Sequence, residues 1–220
     1  MASHVKYAPG AGHGREMSER IEVRPRGPKI RLIEDIVAVL VRGGLIAYPT
    51  DSGYALGWRG KNRQARERVI RMRQLDAGHH FTYCCRTLSD VARYASVENW
   101  AHRLVRQLTP GPYTFVLPAT RKVPRMGQKR PATIGIRIPD NEVVQAILDT
   151  IDEPILSSSL ILPDSEGEIL DTEDLYAATY QDIDLFVDAG PCPLEPTTLI
   201  DLSGDRAVVL RHGRGVVDFV

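Results

Sequence analysis

Cysteine is scarce: Cys84, Cys85 and Cys192 are the only three in 220 residues. They form no C-x-x-C spacing, so neither a zinc ribbon nor a thioredoxin-type centre can be built from them. Cys84 and Cys85 are adjacent, and neighbours on a strand point to opposite faces, so the two cannot share a metal. An odd, sparse set fits a reducing cytoplasm better than a disulfide-stapled secreted domain. Net charge is missing too, since 28 Lys and Arg balance 28 Asp and Glu. No overall field draws such a chain to nucleic acid or membrane, and any anion site must come from local clustering. No apolar run is long enough to span a bilayer, and the N-terminus lacks the apolar core of a signal peptide. Glycine-rich phosphate loops are also absent. "GPYTF" and "GWRG" fit neither a P-loop nor a Rossmann fingerprint, so a bound nucleotide must be held by side chains. The expectation is a cytoplasmic protein with no membrane partner.

What is present is the composition of an ordinary globule, with 43% hydrophobic and 25% charged residues. Residues 1–28 combine glycine, proline, histidine and charge without an apolar period. They are expected to form a flexible tail, leaving 29–220 as one domain. Leu32, Ile36, Val39 and Leu40 predict a helix stopped at Gly43-Gly44. "LIAYPT" predicts a short strand, closed by Pro49 and the turn-rich "TDSGYALG". Asn62 is a candidate cap for a second helix, with Ala65, Val69 and Met72 toward the core. "HFTYCC" reads as a strand, Ser89 as a cap for "LSDVARYA", and "ENWAHRLVRQL" as a helix stopped by "TPGP". "YTFVLPA", "TIGIRIP" and "PILSSSL" read as strands. "NEVVQAIL" is a helix behind Asp140 or Asn141, and "LYAATYQ" is the last helix. Short strands "DLFVDAG", "TTLIDL" and "AVVLRHG" close the chain. Strands interleaved with helices imply a single α/β domain with a mixed sheet flanked by helices.

Candidate chemistry concentrates in few places. Arg63, Arg66, Arg68, Arg71 and Arg73 crowd one helix, with Glu67 as the carboxylate among them. Arg63, Arg66 and Arg73 follow helical spacing along one side. A solvated basic face is the plainer reading of Arg63, Arg66 and Arg68. Arg71 and Arg73 sit at the helix end, where planar guanidiniums grip phosphate oxygens in pairs. In "YPTDSGYALG", Thr50 and Tyr54 suit a small polar substrate at a strand's edge; a self-bonded turn is the alternative. In "ILSSSLILP" the serine hydroxyls need partners, and Ser157 and Ser159 share a face opposite Ser158. No nucleophile elbow surrounds them. His79, His80, His102 and His212 show no triad order or metal spacing and read as structural. The acidic run Asp164 to Glu173 reads as a solvated loop, so no protein-bound metal is expected.

Taken in order, "GGLIAYPTDSGYALG", the Arg-x-Arg helix end, "TPGPYTFVL", "TIGIRIP", "PILSSSL", "PTTLIDLS" and "VLRHG" resemble the YrdC-like threonylcarbamoyl-AMP synthases, in particular the YciO branch. The resemblance covers about residues 30–215. It implies one α/β domain whose twisted, mixed open sheet bears a large concave cavity. It implies an enzyme that joins L-threonine, bicarbonate and Mg-ATP into threonylcarbamoyl-AMP and pyrophosphate for tRNA modification. Some members also bind double-stranded RNA, for which Arg63, Arg66 and Arg68 are the candidates here. By the same resemblance, Arg71 stands at the family lysine, Arg73 at its arginine and Ser159 at its serine, as catalytic and nucleotide-binding residues. Thr197 and Arg211 join the nucleotide site, and Thr50 and Tyr54 match the threonine-binding turn. Ile161 stands where the family has an asparagine. Arg71 keeps a charge with altered geometry. Ile161 removes a polar contact, a loss of about 3 kcal/mol in rate stabilisation. Nucleotide binding is therefore expected to outlast synthase activity.

Overall fold

The computed structural model describes residues 18–76, 78–124, 130–163 and 171–218. Among the described residues, ten strands form one sheet, accompanied by six helices. The strands are β1 (Glu19–Glu22), β2 (Ile46–Thr50), β3 (Gly53–Arg59), β4 (Thr82–Cys84), β5 (Tyr113–Pro118), β6 (Thr133–Arg137), β7 (Ile155–Ser159), β8 (Leu185–Asp188), β9 (Thr198–Asp201) and β10 (Val208–Arg211). The helices are α1 (Ile30–Val41), α2 (Arg63–Met72), α3 (Leu88–Tyr94), α4 (Asn99–Leu108), α5 (Glu142–Ile151) and α6 (Thr172–Thr179). The strand order is β1-β8-β2-β3-β7-β4-β6-β5-β9-β10. Parallel pairs such as β2/β8 and β4/β6 alternate with antiparallel ones such as β2/β3 and β5/β6, so the sheet is mixed as expected.

Helix periodicity explains the layers. α1 buries Ile33, Ile36, Val37, Val39 and Leu40, and α5 buries Val143, Val144, Ile147 and Leu148. Each such side chain removed from water contributes about 1.5–3 kcal/mol. These two helices pack with Ile46, Tyr48, Ala55, Ile155, Leu185 and Val187 on one face of the sheet. α2, α3, α4 and α6 cover the other face, over Leu56, Trp58, Tyr83, Phe115 and Ile136. Asn62 caps α2 by accepting from Ala65 N, and Asn141 caps α5 by accepting from Val143 N and Val144 N. Cys84 belongs to one apolar cluster and Cys85 to the other, as strand alternation requires.

Three expectations need correction. The segment read as a tail holds β1, which pairs in parallel with β8 through Glu19↔Leu185 to Glu22↔Asp188. Arg20 reinforces that edge with a guanidinium on Asp188 at 2.7 Å; residues 1–17 lie outside the described residues. "TDSGYALG" contributes strand residues, because Ala55, Leu56 and Trp58 are apolar enough to occupy both buried faces of β3. Thr87, not Ser89, caps α3, in a reciprocal box with Asp90. Most of the acidic run, 164–170, lies outside the described residues. Asp171 caps α6 and Glu173 pairs with Arg20. No helix among the described residues is long and apolar enough to cross a membrane.

Candidate functional site

Strands β4, β6 and β5 are two-sided. Their inward residues Tyr83, Phe115, Leu117, Ile134 and Ile136 fill the larger apolar cluster. Alternation then puts Thr82, Thr114 and Gly135 on the opposite face. A Cβ at Gly135 would stand 3.1 Å from Thr82 Oγ1 and 3.7 Å from Thr114 Cγ2, so the three residues form one continuous floor. The apolar cluster under α1 and α5 takes no residue from β5, β6 or β9. On that part of the face Thr82, Thr114 and Gly135 lie beside half-buried Val116 and Leu199, which pair with Gly135 and Thr114. Ser157 extends the floor from β7, its hydroxyl 2.7 Å from Tyr48 Oη.

Two guanidiniums border the floor. Thr114 and Thr197 share a hydroxyl contact of 2.8 Å, and Arg211 donates from Nη2 to the Thr197 carbonyl at 3.0 Å. Arg137 is 7% exposed and pairs with Asp51. Arg137 Nε and Asp51 Oδ2 are buried without a hydrogen-bond partner among the described residues, a costly arrangement that a polar ligand would relieve. A cavity of about 420 Å³ opens beside Thr50 and Asp51, walled by Asp140, Asn141, Cys192 and Arg214.

The residues singled out from sequence fall into separate groups. Arg73 is half-buried, and burial lowers its pKa. Its Nη1 donates to Ser158 Oγ at 2.6 Å and its Nε to the Ile161 carbonyl at 3.2 Å. Ser159 is exposed on the opposite side of β7 from Ser158. Arg71 is exposed, and its side chain has no hydrogen-bond or ion-pair partner among the described residues. Thr197 and Arg211 lie together beyond three intervening strands, roughly 19 Å from β7 along the sheet at the usual strand spacing. One ligand touching both ends must lie across the strands.

Thr50 donates to Gly53 O at 2.6 Å and accepts from Ser52 N, which is the self-bonded turn. Tyr54 donates to Gly190 O at 3.0 Å and accepts from Ala189 N at 3.1 Å. Burial raises its pKa. Both hydroxyls are engaged in holding the β2–β3 turn and the end of β8.

The basic-face reading is corrected at Arg68. This residue is 5% exposed; its Nη1 meets Asp184 Oδ2 at 2.6 Å and its Nε donates to Asp182 O at 2.8 Å. A buried charge must be paired, and this one ties α2 to the approach of β8. Arg68 is therefore unavailable to RNA. Arg63 is exposed, and Arg66 lies 5.6 Å over the Phe81 ring. His79 packs edge-on to Phe81 at 5.0 Å; burial and then the Arg73 charge lower its pKa. No cluster of three or more potential metal ligands occurs among the described residues. Burial pushes the Cys84 and Cys85 thiols up, and Cys192 to about 11, so none is an activated thiolate.

The sequence reading overlooked Asp51, Thr82, Thr114, Gly135 and Arg137 as site residues. A signal was available in "TIGIRIP", where Thr133, Gly135 and Arg137 alternate with isoleucines, an open strand face beside a buried one.

The family model for Sua5, YciO and YrdC, described as telomere recombination, matches residues 38–213. YciO of Escherichia coli (strain K12) is 45% identical over 202 residues, covering 91% of this chain and 98% of that protein. Its crystal structure matches with a TM-score of 0.85. The threonylcarbamoyl-AMP synthase of Bos taurus is 28% identical over 203 residues, covering 89% of this chain and 70% of that protein. P. abyssi Sua5 complexed with L-threonine matches at a TM-score of 0.78 and 24% identity, over 89% of this chain and 58% of that chain, a likeness of fold.

Proposed function

This chain belongs to the Sua5, YciO and YrdC family, and on that premise we propose that it binds an adenine nucleotide and L-threonine as a threonylcarbamoyl-AMP synthase-like protein. The observation carrying this reading is the hydroxyl-and-glycine floor of Thr82, Thr114, Gly135 and Ser157, bordered by Arg137 and Arg211. Hydroxyl and guanidinium donors suit phosphate oxygens, and a glycine lets a flat ligand approach the backbone. The amino acid would occupy the cavity beside Thr50. There Asp140 offers a carboxylate to its ammonium and Arg214 a guanidinium to its carboxylate. P. abyssi Sua5 with L-threonine supports an amino-acid site in this fold.

In the reaction, the threonine amine takes up bicarbonate as a carbamate with loss of water. A carbamate oxygen then bonds to the α-phosphorus of Mg-ATP, and pyrophosphate leaves with the Mg. Negative charge builds on the phosphate oxygens, so the chain's work is positioning and electrostatic stabilisation. Arg137 and Arg211 are suited to that charge, with Arg73 reaching the end of β7. Ile161 presents an apolar side chain that is 45% exposed where the family carries an asparagine, which supports binding with slow synthesis.

The test is incubation of the protein with labelled threonine, bicarbonate and Mg-ATP, scored for adenylate and pyrophosphate. Slow formation of both is expected, or hydrolysis of supplied threonylcarbamoyl-AMP. Absence of all three refutes the enzyme reading. Ile161→Asn with Arg71→Lys is expected to raise the synthase rate about a hundredfold, the usual weight of one such polar contact. An unchanged rate would mean a cavity shaped for another substrate.

Double-stranded RNA binding is the second reading. It rests on exposed Arg63 and Arg71 on α2 and Lys61 just before it, and is weakened by the burial of Arg68. Its test is a steep fall of affinity with salt; a flat response excludes it.

A further inference from the structure

On the other face of the sheet from the hydroxyl floor, a cavity of about 730 Å³ opens between the start of α2 and strands β4 and β6. Its rim is cationic. Lys61, Arg63, Arg66 and Arg130 surround it, and Glu67 is the one carboxylate among the described lining residues. Its floor is apolar and aromatic: Phe81, Tyr83 and Leu156, all buried members of the larger core cluster. Phe81 stands edge-on to Trp58 at 4.8 Å, and Tyr83 stacks on Tyr94 at 5.3 Å, so both rings are held from behind.

Rim and floor make different demands. Arg66 is engaged over Phe81, but Lys61, Arg63 and Arg130 still gather at the same opening, where an anion would relieve their mutual repulsion. Guanidinium forks match phosphate oxygens by paired hydrogen bonds. The aromatic floor, in contrast, favours a flat apolar body that excludes water. An RNA backbone would use the rim and leave the floor wet, whereas a small molecule with both parts satisfies both. The volume is that of an ordinary small-molecule pocket.

We propose that this cavity is a second ligand site, separate from the nucleotide and threonine site, and that it takes an aromatic phosphate: ring against Tyr83, Ile134 and Leu156, beside the Arg66-covered Phe81, and phosphate on Arg63 and Arg130. The inference stands independently of the proposed synthase-like function, because no residue is shared between the two sites.

The test uses the full chain and three probes that separate ring from charge: 1-naphthyl phosphate, 1-naphthol and inorganic phosphate. Trp100→Phe leaves Trp58, behind Phe81, as the remaining tryptophan reporter of the floor. Naphthyl phosphate is expected to bind one to one by calorimetry and to change Trp58 emission. Its affinity should exceed those of naphthol and phosphate by at least about tenfold, the weight of one charge-assisted hydrogen bond. Arg63→Ala and Arg130→Ala replace exposed side chains and should fold as the parent does. Each should weaken binding about tenfold, with Arg63→Lys recovering part of the loss. Equal affinity for the three probes, binding indifferent to both alanine variants, or capture of an RNA duplex without naphthyl phosphate binding would each overturn the proposal.

Discussion

The two ends of the sheet are built on different rules. β2, β3 and β8 are apolar on both sides and run between helix layers: Ala47 and Leu56 face one cluster, Ile46, Ala55 and Leu185 the other. β4, β6 and β5 are apolar toward α2, α3 and α4, and carry Thr82, Gly135 and Thr114 on the reverse. Strands packed on both faces stabilise; strands packed on one face leave the other for polar contacts. The difference separates scaffold from site within a single continuous sheet. It also explains why Arg137 is buried at the margin of the open face, where Asp51 from the scaffold end reaches it.

The largest expected effect breaks that joint between the two ends. Arg137→Ala leaves the Asp51 carboxylate buried without its cation and should destabilise the fold by about 3–5 kcal/mol in denaturant unfolding. Arg137→Ala with Asp51→Asn should recover a substantial part of that loss, since the uncompensated charge is gone. A loss under 1 kcal/mol for the single variant, on the order of an exposed ion pair, would show that the ends are not coupled through this pair.

The two sides of one strand pair sharpen the contrast next. Ile136→Ala empties a fully buried position and should cost about 2–5 kcal/mol of stability. Thr82→Ala, on the open face, should cost less than about 1 kcal/mol. In ligand binding the order should reverse, Thr82→Ala lowering nucleotide affinity with Ile136→Ala nearly silent at temperatures where it stays folded. Calorimetric titration with Mg-ATP beside thermal unfolding checks both halves. Equal stability losses would mean that the hydroxyl face is core after all.

What could be read from sequence follows the range of the physics. Helix caps at Asn62 and Asn141 and the opposed faces of Cys84 and Cys85 act within three residues, and the pattern carries them. β3 was obscured because Asp51, Ser52 and Gly53 signal a turn just before apolar residues that pair on both sides. Arg68 looked like surface because helical spacing cannot see a carboxylate 116 residues away. The floor needed strand order as well, since Thr82, Gly135 and Thr114 become neighbours only when β4, β6 and β5 pair in this register. Ser159 was singled out from its motif, whereas the hydrogen bond from Arg73 goes to Ser158, one residue earlier and on the other face.

The smallest expected effect tests how dry the helix-covered side is near His79. Its pKa is lowered by burial first and then by Arg73, His80 and Arg66. The folded protein therefore binds this proton less readily than the unfolded chain, whose histidine titrates near about 6.5. Stability from this residue is fully present above that value, and it falls as pH drops from about 6.5 toward the lowered folded pKa, because the unfolded state takes up the proton first. Unfolding midpoints between about pH 7 and pH 5 should decline less steeply in His79→Gln than in the parent. Arg73→Gln, which removes the largest repelling charge but not the burial, should fall between them. Identical slopes in all three would mean that water reaches the imidazole freely, and that the covered side is as open as the hydroxyl face opposite.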